Sequence, residues 1–469
     1  MKKSEFIQLI VDKLSFQPTA GQQQAITLFA AYMCCKEKEA IMLLKGYAGT
    51  GKTSLVSAFV QVLKSQKIAT VLLAPTGRAA KVLGNYSDHP AFTIHKEIYQ
   101  LKYNSDGSEQ MVLRKNEHVN TIFFVDEASM IYDVQPDGNN SMLLFQDNNL
   151  LFNLLSYIEQ GKNCRLVFIG DTAQLPPVKL TYSPALDKDF LKDNFSKIVF
   201  DCELTEVVRQ VKQSGILYNA TRIRSLSGGQ SYSSYHFESD KFQDVNSISA
   251  GELLEVLETA YSRDNRKNVV VITRSNKQAN QINQAIRSKI LEKEDELEKG
   301  DFVINLKNNY FWLPKTAQTP FIANGDSMEI VKVYDMEDLY GFRFADVRVR
   351  LSDYDMDEVE VKCILNAIHA DEAAMSAENR KLLYDAVSED YSHIRSRKQR
   401  YLALQQDPYL NALQIKFAYA QTCHKTQGGQ WDSVFVYQGY VPENSPSNDY
   451  YRWLYTAVTR AKKELFVVK

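Results

Sequence analysis

The sequence contains no run approaching the roughly 18 consecutive apolar residues that a membrane span requires, and its formal net charge is only -2. The first absence argues against a membrane partner. The second removes any global basic field, so a nucleic-acid site in this chain has to be a local groove. Cysteine is sparse: Cys34, Cys35, Cys164, Cys202, Cys363 and Cys423 form no C-x-x-C pair. Cys423 beside His424 is the nearest approach to a metal pair, so the cysteines predict no structural metal and suit a reducing cytoplasm. Internal repeats and low-complexity segments are also missing; "LEKEDELEKG" (291–300) reads as a solvated helix end.

What is present is an ordinary globular composition, 44% hydrophobic and 24% charged, spread over 469 residues. That length exceeds what one hydrophobic core usually serves, so two or more domains are expected. The opening "MKKSEFIQLIVDKL" is broken by Glu5, Gln8 and Asp12, which favours an amphipathic first helix over a signal peptide. Short β-rich runs then alternate with helical patterns: "IMLLK" (41–45), "IATVLLA" (68–74), "TIFFV" (121–125), "RLVFI" (165–169), "NVVVIT" (268–273), "SVFVY" (433–437) and "ELFVV" (464–468). Between the first two, Leu55, Val56, Phe59, Val60 and Leu63 share one helical face. This is the pattern of parallel α/β sheets, which bind ligands at the C-terminal ends of their strands.

Two stretches break the alternation. Residues 99–115, "YQLKYNSDGSEQMVLRK", place β-formers on both sides of a Ser-Asp-Gly turn and predict a hairpin. Residues 300–351 carry short strands with Asn-Gly and Tyr-Gly turns and predict a small β-barrel, followed by a charged helical stretch from 365 to about 410.

"LLKGYAGTGKTSL" (43–55) places Gly46, Gly51, Lys52 and Thr53 in the pattern G-x-x-x-x-G-K-S/T, between a strand and a helix. Glycines let the backbone wrap phosphates so that amides and the helix N-terminus face them. The cofactor-binding set is therefore Gly46, Tyr47, Ala48, Gly49, Thr50, Gly51, Lys52, Thr53 and Ser54. Lys52 would reach the β- and γ-phosphates, and Thr53 would ligate Mg²⁺. Asp126 ends an apolar strand in "FFVDEASM" and would hold the metal shell, with Glu127 orienting or deprotonating the attacking water. An acidic pair capping a helix is the alternative for these two. Asp171 and Gln174 in "VFIGDTAQLPPV" can sense a γ-phosphate, or can simply form a turn with Pro-Pro.

These segments, with others in the same order, resemble the superfamily 1 helicases of the RecD-like and Dda-like subgroup. The likeness spans most of the chain. "TAGQQQAI" (19–26) resembles the adenine-reading motif, with Gln22 as its glutamine. "LAPTGRAA" (73–80) and "TIH" (93–95) resemble segments that contact single strands, and "LTEVVRQ" (204–210) the segment whose arginine, here Arg209, approaches the γ-phosphate. "AYAQTCHKTQGGQWDSVFV" (418–436) and "LYTAVTRAKKELFVV" (454–468) resemble the last two motifs, with Gly428 at the nucleotide and Arg460 as the second arginine. Taken singly, either arginine would more readily be a surface ion-pair partner.

The resemblance implies an α/β fold of two RecA-like P-loop motor domains. The first, 1–205, would carry the hairpin as a pin (96–118). The second, 206–299 with 412–469, would be interrupted by an SH3-like barrel with a helical extension (300–411). ATP and Mg²⁺ are the implied cofactors, with Lys52, Glu127, Gln174, Arg209 and Arg460 as the catalytic set. Single-stranded DNA would follow Pro75, Thr76, Arg78, Thr93, His95, Thr273, His424 and Lys425, with Tyr99 or Tyr103 stacking on bases at the junction with duplex. Movement from 5′ to 3′ and action as a monomer, alongside other replication or repair proteins, complete the expectation. An accessory nucleic-acid-stimulated ATPase subunit, or an RNA-directed translocase, is the alternative. A nuclease is disfavoured, because no second carboxylate cluster with metal spacing accompanies Asp126 and Glu127.

Overall fold

Runs of branched and aromatic residues become the inner strands of two parallel sheets. The computed structural model describes residues 3–103, 109–133, 149–178, 180–208, 214–227, 235–313, 321–352, 358–372, 374–439 and 447–469, with the side chains of 101–111 left aside. The first half supplies β1 (Ala40–Gly46), β2 (Ala69–Ala74), β3 (Ala91–Thr93), the hairpin strands β4 (Tyr99–Tyr103) and β5 (Glu109–Leu113), then β6 (Thr121–Val125), β7 (Arg165–Gly170) and β8 (Ile198–Leu204). Six of them form a parallel sheet in the order β3-β2-β6-β7-β1-β8. The alternation along β1 shows why both faces are covered. Met42 and Leu44 enter a core with the helices Lys3–Lys13, Ala20–Cys34 and Lys52–Ser65, while Ile41 and Leu43 join the helix Leu150–Gln160 on the other side. The first helix is amphipathic as expected: Phe6 and Ile10 are buried, and Phe6 lies 5.9 Å from Phe29, which stacks on Phe59 at 4.1 Å.

The second half supplies β9 (Val245–Ile248), β10 (Val269–Thr273), β11 (Phe302–Asn305), β12 (Ser327–Leu339), β13 (Phe342–Leu351), β14 (Val359–Ile364), β15 (Leu413–Phe417), β16 (Ala420–Thr422), β17 (Trp431–Tyr437) and β18 (Ala461–Val468). A second parallel sheet runs β16-β10-β17-β18-β9, and β11 to β15 close into a barrel. The barrel does not end at residue 411. Its fifth strand is β15, which pairs with β11 and β14 before the chain re-enters the second sheet two residues later. Nothing in "LQIKFAYAQT" marks that change of sheet, because both strands are short apolar runs and only backbone pairing separates them.

The barrel is welded to the second sheet. One continuous core joins Val269, Val271 and Ile286 to the barrel residues Val303, Met328, Val347 and Ile415. At the seam, the fully buried Asp301 carboxylate accepts from Arg287 Nε at 3.1 Å and Nη2 at 3.0 Å, and from Tyr419 Oη at 3.0 Å. Lys293 Nζ stands 3.1 Å away. The helices Ala377–Asp390 and Arg397–Gln405 pack outside the barrel, where Leu383, Val387 and Leu404 meet Phe342, Phe344 and Ile364.

The hairpin registers Tyr99 against Leu113 and Tyr103 against Glu109, and its turn, 104–108, lies outside the described residues. Its base is anchored. Tyr157 Oη donates to Glu97 Oε1 at 2.8 Å, His118 Nε2 lies 2.9 Å from the same oxygen, and Asn153 Nδ2 donates to Tyr99 Oη at 2.8 Å. Among the described residues no helix is long and apolar enough to cross a membrane, and no cluster of three or more His, Cys, Asp or Glu could hold a metal ion.

Candidate nucleotide cleft and nucleic-acid groove

The phosphate loop leaves the C-terminal end of β1, which lies between β7 and β8 with β6 one strand further on. Its Gly51 has φ 83°, and a Cβ there would sit 2.5 Å from Gln22 Nε2, so glycine is required by both conformation and space. The helix Lys52–Ser65 follows at once, which turns its first amides toward the loop. Lys52 Nζ is held by the loop's own carbonyls, Gly46 O and, at 3.1 Å, Tyr47 O. Gln22 is buried and its amide is already committed. Its Oε1 accepts from Thr19 N at 3.0 Å, and its Nε2 donates to Thr50 O at 3.0 Å. In this conformation it braces the loop from beneath rather than facing a base.

Asp126 and Glu127 emerge from the end of β6. Burial first, and the neighbouring Glu127 charge second, push the Asp126 carboxyl up to about 6, with Lys52 opposing. Glu127 adopts the left-handed region at φ 51°, and its amide donates to Asp126 Oδ1 at 2.8 Å. A strained carboxylate beside a lysine at a strand end is a common functional signature. Gln174, on the turn after β7, is 6% exposed, and its buried Oε1 has no hydrogen-bond partner. An orphaned amide oxygen fits a group that interacts with something outside the resting structure.

The second sheet closes this cleft. Arg460 is 3% exposed and held by its own domain: Nε donates to Thr456 O at 3.0 Å, Nη1 to Gly429 O at 3.3 Å and Nη2 to Thr459 Oγ1 at 3.2 Å. Nη1 also stands 3.8 Å from Glu127 Oε1, across the two halves. Arg209 lies outside the described residues. Several groups that sequence reasoning missed complete the wall. Thr456 Oγ1 accepts from Leu175 N at 2.8 Å, Gln427 Nε2 donates to Leu175 O at 2.8 Å, and the Arg224 guanidinium stacks 3.8 Å over the Tyr47 ring. The position of Thr456 in the last turn of the helix, four residues before Arg460, was the available signal for the first of these. Gln427 and Arg224 carry none, because their partners are far away in sequence.

The residues expected to meet a single strand divide. Pro75, Thr76, Thr93, His95, His424 and Lys425 come from the ends of β2, β3 and β16, and His424 is exposed. Thr76 Oγ1 caps its helix by accepting from Ala79 N at 3.2 Å, and Thr93 Oγ1 does the same from Lys96 N at 3.2 Å. Burial first, and Lys416 second, lower the Lys425 ammonium to about 8. Thr273, Tyr99, Arg78 and Gly428 depart from expectation. Thr273 is fully buried and its hydroxyl donates to Ser275 O at 3.0 Å. Tyr99 is 9% exposed, packed in the first domain at the foot of the hairpin, so it is not placed to stack on a base. Arg78 stacks 3.8 Å over the Trp431 ring and donates to Gln430 O at 3.2 Å, which makes it a clip between the two domains. Gly428, at φ 74°, packs against Thr76 and Ala79 of the first domain, where a Cβ would come within 2.8 Å of Ala79. Tyr103 ends β4, and its side chain is not described.

Comparison with known proteins fits this arrangement. Residues 18–234 match the family model described as an AAA domain, and 417–468 match the UvrD-like helicase C-terminal domain. The chain is 26% identical to the ATP-dependent DNA helicase dda of Enterobacteria phage T4, over 96% of this chain and 99% of that protein. It is 31% identical to the ATP-dependent RecD2 DNA helicase of Deinococcus radiodurans over 29% of this chain, a match that spans 16% of RecD2. A solved structure of Bacteroides Pif1 bound to ssDNA aligns over 97% of this chain and 92% of that one, at 14% identity and a TM-score of 0.47. Both motif-bearing regions thus match these family models, and the chain is similar along nearly its whole length to an ATP-dependent DNA helicase.

Proposed function

We propose that this protein is an ATP-dependent DNA helicase that moves 5′ to 3′ along single-stranded DNA and separates duplex. The observation that carries this reading is the cleft itself. Lys52, Glu127 and Gln174 come from one sheet, and Arg460 reaches to 3.8 Å from Glu127 from the other. ATP bound there would be cradled by 46–54 and contacted by Lys52 once that side chain leaves the loop carbonyls. Glu127 would take or orient the water, while Gln174 and Arg460 would meet the γ-phosphate. The hydroxyl of Thr53 and the carboxylate of Asp126 suit Mg²⁺, which keeps several waters and uses few protein ligands. Bound there, the ion would neutralise charge between the phosphates.

Because Arg460 belongs to the far wall, its charge is available only when the cleft is closed, and hydrolysis is thereby tied to domain movement. The DNA-facing ends of both sheets move with the same closure. A strand held at Thr76, Thr93, His424 and Lys425 would be gripped on one domain while slipping on the other, through backbone contacts that carry no sequence preference. We assign 1–205 as the first motor domain, with the pin at 96–118. The second comprises 206–299 and the chain after β15, with the barrel and its helices inserted.

Strand displacement on substrates with a 5′ or a 3′ overhang tests the reading. Displacement is expected from the 5′ overhang only. The Lys52→Ala variant should lose ATPase while keeping single-strand binding, and near-normal ATPase in that variant would sink the nucleotide assignment.

A further inference from the structure

A buried hydrogen-bonded chain crosses the cleft and joins three of the motif segments through Tyr455, a residue given no role so far. The amide of Ala48, in the phosphate loop, donates to Tyr455 Oη at 2.9 Å. That hydroxyl in turn donates to Asp171 Oδ2 at 2.6 Å. Asp171 Oδ1 accepts from Ala173 N at 2.9 Å, and its carbonyl accepts from Gln174 N at 3.3 Å, so this carboxylate shapes the turn that carries Gln174. Tyr455 is 2% exposed and Asp171 1%. Tyr455 stands in the helix Asn448–Val458, five residues before Arg460 and one before Thr456, which binds Leu175 on the same turn.

We propose that Tyr455 is a positioning residue for hydrolysis: its hydroxyl joins the loop amide to Asp171 and so sets the Gln174 turn and the Arg460 helix end at one spacing from the phosphate loop. Three segments far apart in sequence share this one oxygen. Without it, the loop amide and the carboxylate face each other in a closed site with no common partner, and each is free to relax in its own direction. The ring alone cannot replace that link. It packs in the second-domain core with Ala173 and Leu175, so Tyr455→Phe keeps the apolar contacts and removes only the oxygen. Burial and the Asp171 charge hold the Tyr455 phenol well above its ordinary range, so it remains a donor at any working pH.

The inference rests on the nucleotide-cleft reading above and is tested with the full chain. Tyr455→Phe should lower the kcat of DNA-stimulated ATPase about tenfold, the loss expected for one charge-assisted hydrogen bond. The KM for ATP and the Kd for a fluorescent ADP analogue should stay within about twofold. Asp171→Ala should lower kcat comparably, and the double variant should be no slower than the slower single one, since both break one link. The nucleotide-free protein supplies a separate readout. Tyr455→Phe should lower Tm measurably, and by clearly less in the Asp171→Ala background. If Asp171→Ala does not fold, the kcat-against-KM split in Tyr455→Phe still decides. Wild-type kcat in Tyr455→Phe would overturn the proposal while leaving the helicase reading intact. Several-fold tighter ADP binding at unchanged kcat would also overturn it, by marking Tyr455 as a latch over the loop. A wild-type chain without ATPase would overturn both.

Discussion

On the proposed mechanism, removing the Arg460 side chain separates two jobs, one in turnover and one in holding its own domain. In the resting structure its guanidinium makes three hydrogen bonds within its own domain, to Thr456 O, Gly429 O and Thr459 Oγ1, and stands 3.8 Å from Glu127. Those three bonds fix its direction in advance, so little side-chain freedom is lost when the cleft closes on a nucleotide. On that reading Arg460→Ala deletes the charge where transition-state charge would develop, and loss of such a group typically slows turnover on the order of a thousandfold, or ~4 kcal/mol. It also strips a donor from two buried carbonyls, at a stability cost of about 1–3 kcal/mol. Arg460→Lys should not rescue turnover, since an ammonium cannot keep the fork that reaches Thr456 and Gly429 together. The assay is steady-state ATPase with saturating single-stranded DNA, alongside equilibrium binding of a fluorescent ADP analogue and a denaturant titration. kcat should fall by orders of magnitude while ADP affinity changes less than about threefold. Parallel losses in binding and turnover would refute the reasoning and make Arg460 a structural residue.

Three further outcomes follow from other parts of the molecule. Lys425, held near 8, is about nine-tenths charged at pH 7 and about one-tenth at pH 9. Single-strand affinity should therefore fall as pH rises through that range, and Lys425→Arg should flatten the profile; an equally steep profile in that variant would show that Lys425 does not meet the phosphates. Replacing 103–110 with a short Gly-Ser link should preserve DNA-stimulated ATPase and abolish most unwinding, both read on one preparation, and intact unwinding would remove the pin from the mechanism. Asp301→Ala leaves Arg287 and Lys293 buried without their shared carboxylate, so chemical denaturation should show a loss of about 3–5 kcal/mol. A loss below about 1 kcal/mol would mean that the seam between barrel and motor domain is not held by this network.

Whatever depends on neighbours along the chain was legible in the sequence. The phosphate loop, the acidic pair ending β6 and the turn after β7 are each a strand followed by a few residues of fixed type, and a short continuous apolar run is enough to place each strand. The hairpin and barrel were legible for the same reason: β-formers flank turn residues such as Asn324-Gly325 and Tyr340-Gly341, which do adopt positive φ at Gly325, Tyr340 and Gly341. The strands β3, β9 and β16 were not, because three or four residues carry too little periodicity and are ordered by the sheet they join.

Tertiary structure alone decided which side chains are free to act. Thr273 and Tyr99 look like contact residues by type and place, yet β16 and the helix Leu150–Gln160 cover them. Gln22 is spent on Thr19 and Thr50, and Arg78 on Trp431. Asp171 meets Tyr455 although 284 residues separate them. A motif records the chemistry of a side chain, but whether that side chain faces a ligand, a core or the opposite domain depends on which distant segments approach it. Those approaches are set by the packing of whole sheets and helices, which no local stretch of sequence encodes.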